Sequence, residues 1–158
     1  NDVDFHVASI LDRSSARENE FDISIANGIL SIFDDFVPIF QNLLHWTKPG
    51  GAIFIDDLFN DYPCDVNVKY NLSENYNSGF LESGWNIFSK KTIAAFLVNH
   101  ELISDFIFHD FKIQIDLPKQ DDPIRSWTEK NQDGFRFITN GLCLIQPQSI
   151  LQINLKDE

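Results

Sequence analysis

The sequence predicts an α/β fold, a three-layer and mostly parallel sheet whose C-terminal strands turn antiparallel. Two observations carry this expectation. Residues 21–60 (FDISIANGILSIFDDFVPIFQNLLHWTKPGGAIFIDDLFN) read as strand, Asn-Gly turn, amphipathic helix, Pro-Gly-Gly turn and strand, one complete unit of a parallel sheet. Beyond Ile103, helical spacing gives way to short apolar runs punctuated by turn residues.

Each element has a local cause. Residues 2–8 (DVDFHVA) are an apolar-rich run suited to a buried strand, closed by the polar stretch 12–20. Residues 21–26 follow as a second strand, which Asn27-Gly28 ends because glycine adopts backbone angles that other residues avoid. A helix is expected to open at Asp34 or Asp35, where a carboxylate caps free N–H groups, and Pro38 near its first turn costs little. Phe36, Ile39, Phe40, Leu43 and Leu44 recur at helical spacing and define its apolar face. Pro49-Gly50-Gly51 stops the helix, and residues 52–55 form the next strand, ending in Asp56-Asp57.

Residues 58–88 show no clean period and are rich in Asn, Tyr, Ser and Gly, which suits a plain surface loop by default and makes this the first candidate for a lid or substrate segment. Ser89 caps a second helix, KKTIAAFLVNHE, with Ile93, Phe96 and Leu97 on its apolar face. Phe111, Ile113, Ile115 and Leu117 alternate with polar residues, the pattern of a half-exposed strand. Residues 118–134 form a polar excursion and a second lid segment. Residues 135–139, 142–146 and 150–155, divided by Asn140-Gly141 and Pro147-Gln148, suggest two hairpins.

A chain of 158 residues fits one domain, and 43% apolar residues with 15 Phe provide a real core. The formal charge of −12 argues against nucleic acid, whose phosphates call for clustered Lys and Arg. No apolar run spans a membrane and no secretory signal is visible, so no membrane partner and a cytosolic location are expected. Cys64 and Cys143 stand far apart without metal-type spacing and read as two reduced thiols.

The order of elements resembles the C-terminal two-thirds of class I S-adenosylmethionine-dependent methyltransferases. Their Rossmann-like sheet runs 3-2-1-4-5-7-6, with the last strand antiparallel. Phe21-Asp22 matches the family's Phe-Asp at the start of strand four, and Thr47-Lys48-Pro49-Gly50-Gly51 matches its Leu-Lys-Pro-Gly-Gly turn before strand five. Residues 2–8 would be strand three, and the late strands would supply six and seven.

The glycine-rich loop after strand one and the acidic end of strand two have no counterpart in these residues. The resemblance therefore implies a truncated domain lacking its first two strands, with roughly 60–110 further residues upstream. The absence of any Met, including at position 1, points the same way.

By carry-over, Ser9 and Ile10 would contact the adenine of S-adenosylmethionine. Ala26, Asn27 and Gly28 would meet its methionine part, and Leu30 would line the same cavity. Phe59, Asn60, Tyr62 and Trp85 would wall a pocket for a small or medium-sized acceptor. In-line methyl transfer needs no dedicated catalytic side chain. His6, His45, His100 and His109 all fall away from the expected C-terminal edge of the sheet. Asp56 and Asp57 do follow strand five; they are expected to be solvated strand-end charges rather than a metal site. Arg125 and Trp127 either close over a substrate or pack on the sheet.

The implied function is methyl transfer, by a chain inactive without its N-terminal part. The alternative is a non-catalytic methyltransferase-like module for binding or dimerisation. A nicotinamide-dependent oxidoreductase fits the late hairpins less well.

Overall fold

Two strands running parallel around one helix set the frame. The computed structural model describes residues 3–157. In it β1 (Phe21–Asn27) leads through a short 3₁₀ turn at Leu30–Ile32 into α1 (Val37–Trp46) and back into β2 (Thr47–Asn60). The small strands β3 (Lys69–Tyr70), β4 (Glu82–Ser83) and β5 (Phe88–Ser89) lie in the following loop. Then come α2 (Lys90–Leu97), β6 (Ile103–Asp110), β7 (Trp127–Lys130), β8 (Arg136–Thr139) and β9 (Gln148–Leu155).

The main sheet has the order β1-β2-β9-β6, and β5 adds to the far end of β2. β1 and β2 are parallel, whereas β9 is antiparallel to both β2 and β6. A parallel pair needs a crossover of a dozen or so residues, which α1 supplies. The last strand enters between β2 and β6, a place that a simple hairpin would not give it.

Register assigns the faces. Ser24, Ala26, Ile53, Ile55, Ile153, Leu151, Phe106 and Phe108 share one face, and α1 and α2 both pack against it through Ile39, Phe40, Leu43, Ile93 and Leu97. Phe36 anchors this layer by edge-to-face contacts with the rings of Phe40, Phe88 and Phe96 at 5.2–5.7 Å. The described residues put no helix on the opposite face, so the third layer is not formed by them.

Both helices bury the faces their spacing predicts, but their starts differ. α1 opens three residues after Asp34, on Phe36, which gives no side-chain cap. Asp35 accepts from the Val37 N–H at 2.9 Å, while Asp34 faces the next loop. α2 is capped as expected, the Ser89 hydroxyl accepting from the Lys91 N–H at 3.1 Å, and it ends at Leu97, short of the expected end at Glu101. At the Pro-Gly-Gly turn a Cβ on Gly51 would lie 2.7 Å from the Asp22 carbonyl oxygen, so the parallel strands meet there only over a glycine.

Three expectations fail. Residues 3–8 form no strand, and Val3, Phe5 and Val7 stand exposed; residue 2 lies outside the described residues. The run has no ladder partner, and an apolar strand without one gains nothing from alternation. Residues 111–117 are not a strand of the main sheet. They form a strap beside β7, where Leu117 N–H donates to Thr128 Oγ1 at 2.8 Å and Thr128 N–H to the Leu117 carbonyl at 3.2 Å. Asn140-Gly141 makes no hairpin. β8 pairs back onto β7, and residues 142–146 stay irregular.

No helix of the described residues is long and apolar enough to cross a membrane. The centre of the sheet carries the stability. Ile153→Ala, at a fully buried β9 position, is expected to lower unfolding free energy by about 3 kcal/mol, against less than about 1 kcal/mol for Ile107→Ala on the open face. Urea titration of the two variants measures the difference.

Candidate functional site

Open α/β sheets hold ligands beyond the carboxyl ends of their parallel strands. Here that edge is built by Asn27-Gly28 and residues 56–58. The Gly28 N–H donates to the Asp56 carbonyl at 2.8 Å, carrying the ladder one residue past β1. Gly28 sits at φ +63°, and nothing lies within 4 Å of where a Cβ would be. Its backbone therefore faces open space.

The following turn hangs on Asp57. One carboxylate oxygen accepts from the Leu30 N–H at 2.6 Å and the other from the Leu58 N–H at 2.8 Å. Asp57 is 2% exposed, so the expected solvated charge is instead a structural carboxylate. Burial raises its pKa, and the hydrogen bonds from Leu58, Leu30 and Ser31 oppose that shift. Asp56 beside it is half-buried; burial raises its pKa too, and Gln148 Nε2 donates to it at 2.9 Å. Among the described residues no group of three or more His, Cys, Asp and Glu could hold a metal ion.

The loop after β2 is strapped across this turn. Asn86 is fully buried and donates to the Phe33 carbonyl at 2.7 Å through its side chain. Its own N–H meets the Ser31 carbonyl at 2.8 Å, and its Oδ1 accepts from the Val68 N–H at 2.7 Å. Asp34 fixes the same loop by accepting from Lys69 and from Ser83 at 2.7 Å. These bonds, led by the one from Lys69, lower the Asp34 pKa to about 2. Trp85, at φ +56°, is thereby set over the crevice with its ring 5.9 Å from that of Tyr70. Gly28, Ser31, Asp57, Trp85, Gln146 and Gln148 line a cavity of about 210 Å³ there.

The residues singled out in the sequence are dispersed. Gly28 and Trp85 share that crevice. Asn27 is exposed at the end of β1, and Ala26 and Leu30 are core residues behind it. Ser9 and Ile10 lie beside the outer edge of β1, in an open cavity of about 420 Å³ with Phe21, Ile23 and Ile25. Phe59 packs edge-on against Phe108 at 5.2 Å and lines a separate cavity. Asn60 accepts from the Tyr62 N–H at 3.1 Å, a brace that leaves the Tyr62 ring exposed.

None of the four histidines lines the crevice. Trp127 is buried in β7, donating to Glu129 at 2.9 Å, while Arg125 is exposed. Sequence reasoning missed the buried role of Asp57 and the strap through Asn86. The adjacency of two carboxylates at a strand end was the only available signal for the first. The second had none, since Asn86 lies in a loop without a period.

The strand order and this edge define the fold as that of class I methyltransferases. The structure superposes on a SAM-dependent methyltransferase from Methanosarcina mazei with TM-score 0.53 and 12% identity, over 97% of this chain and 66% of that one. The YcgJ protein from Bacillus subtilis superposes with TM-score 0.50 and 16% identity, over 96% of this chain and 70% of that one. The chain thus spans about two-thirds of the length of these structures. No family model matches it, and no curated protein does.

Two outcomes test the strapped crevice. Asp57→Ala leaves the Leu30 and Leu58 N–H groups without their buried acceptor and is expected to cost about 2–3 kcal/mol in urea unfolding. A carboxylate whose folded pKa is depressed stabilises above its ordinary value of 3.8 and loses that effect as pH falls toward about 2. The Trp85 indole resonance is therefore expected to shift between about pH 4 and pH 2, and Asp34→Ala to produce the shifted position at neutral pH.

Proposed function

We propose that this chain is the C-terminal part of a cytosolic S-adenosylmethionine-dependent methyltransferase. In this reading it acts on a small or medium-sized acceptor and is active only together with an N-terminal part that completes the cofactor site. The observation that carries the reading is the sheet order β1-β2-β9-β6, with β9 antiparallel and an open crevice where β1 and β2 end. The outer edge of β1, unpaired among the described residues, is where further strands would add.

The residues present fit one side of such a site. Gly28 offers a backbone that a Cβ would not obstruct, and Asn27 stands beside it at the strand end. In the proposed site Ala26, Asn27, Gly28 and Leu30 meet the methionine part, and Ser9 and Ile10 meet the adenine. Trp85 and Phe59 wall the acceptor, with Asn60 and Tyr62 at the rim. Residues 58–88 and 118–134 serve as covering segments, and the strap through Asn86 supports that role for the first.

Methyl transfer proceeds as an acceptor lone pair takes the methyl carbon while the carbon–sulfur bond breaks and its electrons stay on sulfur. Alignment of the two reactants supplies much of the rate, so a crevice without a histidine suits the chemistry. The acidic chain disfavours a nucleic-acid acceptor. The unpaired β1 edge also suits the second reading, a binding or dimerisation module without catalysis.

Calorimetry with S-adenosylhomocysteine on the full-length gene product separates the two. Binding with Kd below about 100 μM supports the enzyme, and Gly28→Val is expected to weaken it at least about tenfold. No heat at about 1 mM ligand rejects the enzyme and leaves the module.

A further inference from the structure

A second cavity, of about 330 Å³, opens beside the crevice, and Gln146 and Gln148 line both. That volume is at the lower end of the range for small-molecule sites, about 300–1,000 Å³. Its charge departs from the rest of the molecule. The chain carries 12 Lys and Arg against 24 Asp and Glu, yet this cavity is lined by Lys90, Lys112 and Arg136 against Asp61 and Asp110.

Two of the cations are held in place while keeping donors free. Lys90, about a fifth exposed, touches Asp61 at 2.7 Å, which uses one of its three ammonium protons. Arg136 is gripped by Asp116 through Nε at 2.6 Å and one terminal nitrogen at 3.3 Å, which leaves the other terminal nitrogen unused. Lys112 makes no ion pair among the described residues. Apolar walls complete the pocket: Phe111 and Ile145 stay exposed at its mouth, and Phe137 and Pro147 continue inward. Large exposed apolar side chains gathered around half-buried cations mark a site for an amphiphilic anion.

We infer that this cavity binds a small apolar molecule bearing one carboxylate, anchored by Lys90, Lys112 and Arg136. The surplus of lining charge is a single positive unit, and Asp116 takes up part of the Arg136 charge from behind, so a monoanion is matched better than a phosphate dianion. With its carboxylate on the cations, the apolar body extends toward Gln146 and the crevice. The inference rests on the methyltransferase reading only in making this molecule the acceptor.

Titration calorimetry of the chain with phenylacetate, phenylacetamide and phenyl phosphate tests it. Phenylacetate is expected to bind at millimolar concentration and each of the other two at least about fivefold more weakly. Arg136→Gln is expected to weaken phenylacetate about tenfold. Lys112→Gln, at an exposed position that leaves folding intact, is expected to weaken it by about threefold. Equal binding of phenylacetate and the amide, no binding of phenylacetate at about 10 mM, or unchanged affinity in both variants overturns the inference. S-adenosylhomocysteine binding is read separately on the full-length protein. Its loss with phenylacetate binding retained strikes the methyltransferase reading alone, and the reverse result strikes the carboxylate site alone.

Discussion

The parallel pairing of β1 with β2 is the constraint on which the ligand-facing edge depends. Ile23 to Asn27 pair one-to-one with Ala52 to Asp56, and the Gly28 N–H extends the ladder past the strand end. That register brings the Asp57 carboxylate under the turn after β1, where it accepts from Leu30. Slipping one residue would send Asp57 to the opposite face and exchange the buried Ala26 for Ile25. Gly51 lies against the Asp22 carbonyl of β1, and a side chain there would force the strands apart.

The strap across the crevice follows from this placement. Asp57 shapes the turn at Leu30–Ile32, and the turn presents the Ser31 and Phe33 carbonyls to Asn86. Asn86 holds Trp85 beside Gly28. A fully buried asparagine is costly unless satisfied, and this one's side-chain amide donates to the Phe33 carbonyl and accepts from the Val68 N–H while its backbone N–H donates to the Ser31 carbonyl. The loop that covers the crevice is thus fixed by polar contacts, and among them Asp34 carries a charge whose loss at low pH loosens it.

What was legible in the sequence was what periodicity and turn chemistry encode locally. The apolar face of α1, the Ser89 cap and the strand–helix–strand unit all follow from residues within one element. The antiparallel half was less legible because its pairings are long-range. Residues 111–117 alternate as a strand should, yet Asp116 is drawn to Arg136 and Lys130, so the segment straps the β7–β8 hairpin. Asn140-Gly141 has the strongest hairpin signature in the chain. Its glycine is used instead for close approach, since a Cβ would lie 2.6 Å from Pro123, and the Gly141 N–H donates to the Pro123 carbonyl. At the site, Asp57 was visible as a residue but not as a buried one, because burial depends on α1 and the loop closing over it.

The open face of the sheet divides into two unlike halves. On β9 and β6 it carries a chain of side-chain hydrogen bonds from His109 through Gln152 and Asn154 to Asp105, so its polar groups satisfy one another facing water. On β1 the same face shows Ile23 and Ile25, more than half exposed, next to the free edge of that strand. The β9–β6 half still exposes Ile107, between Asp105 and His109 on β6, so it is mainly rather than wholly polar. An added strand would pair the N–H and C=O groups along β1, and the helix attached to it would cover Ile23 and Ile25 without reaching the amide chain. In the proposed reading, one strand–helix unit thus accounts for both the β1 edge left unpaired among the described residues and the exposure of Ile23 and Ile25.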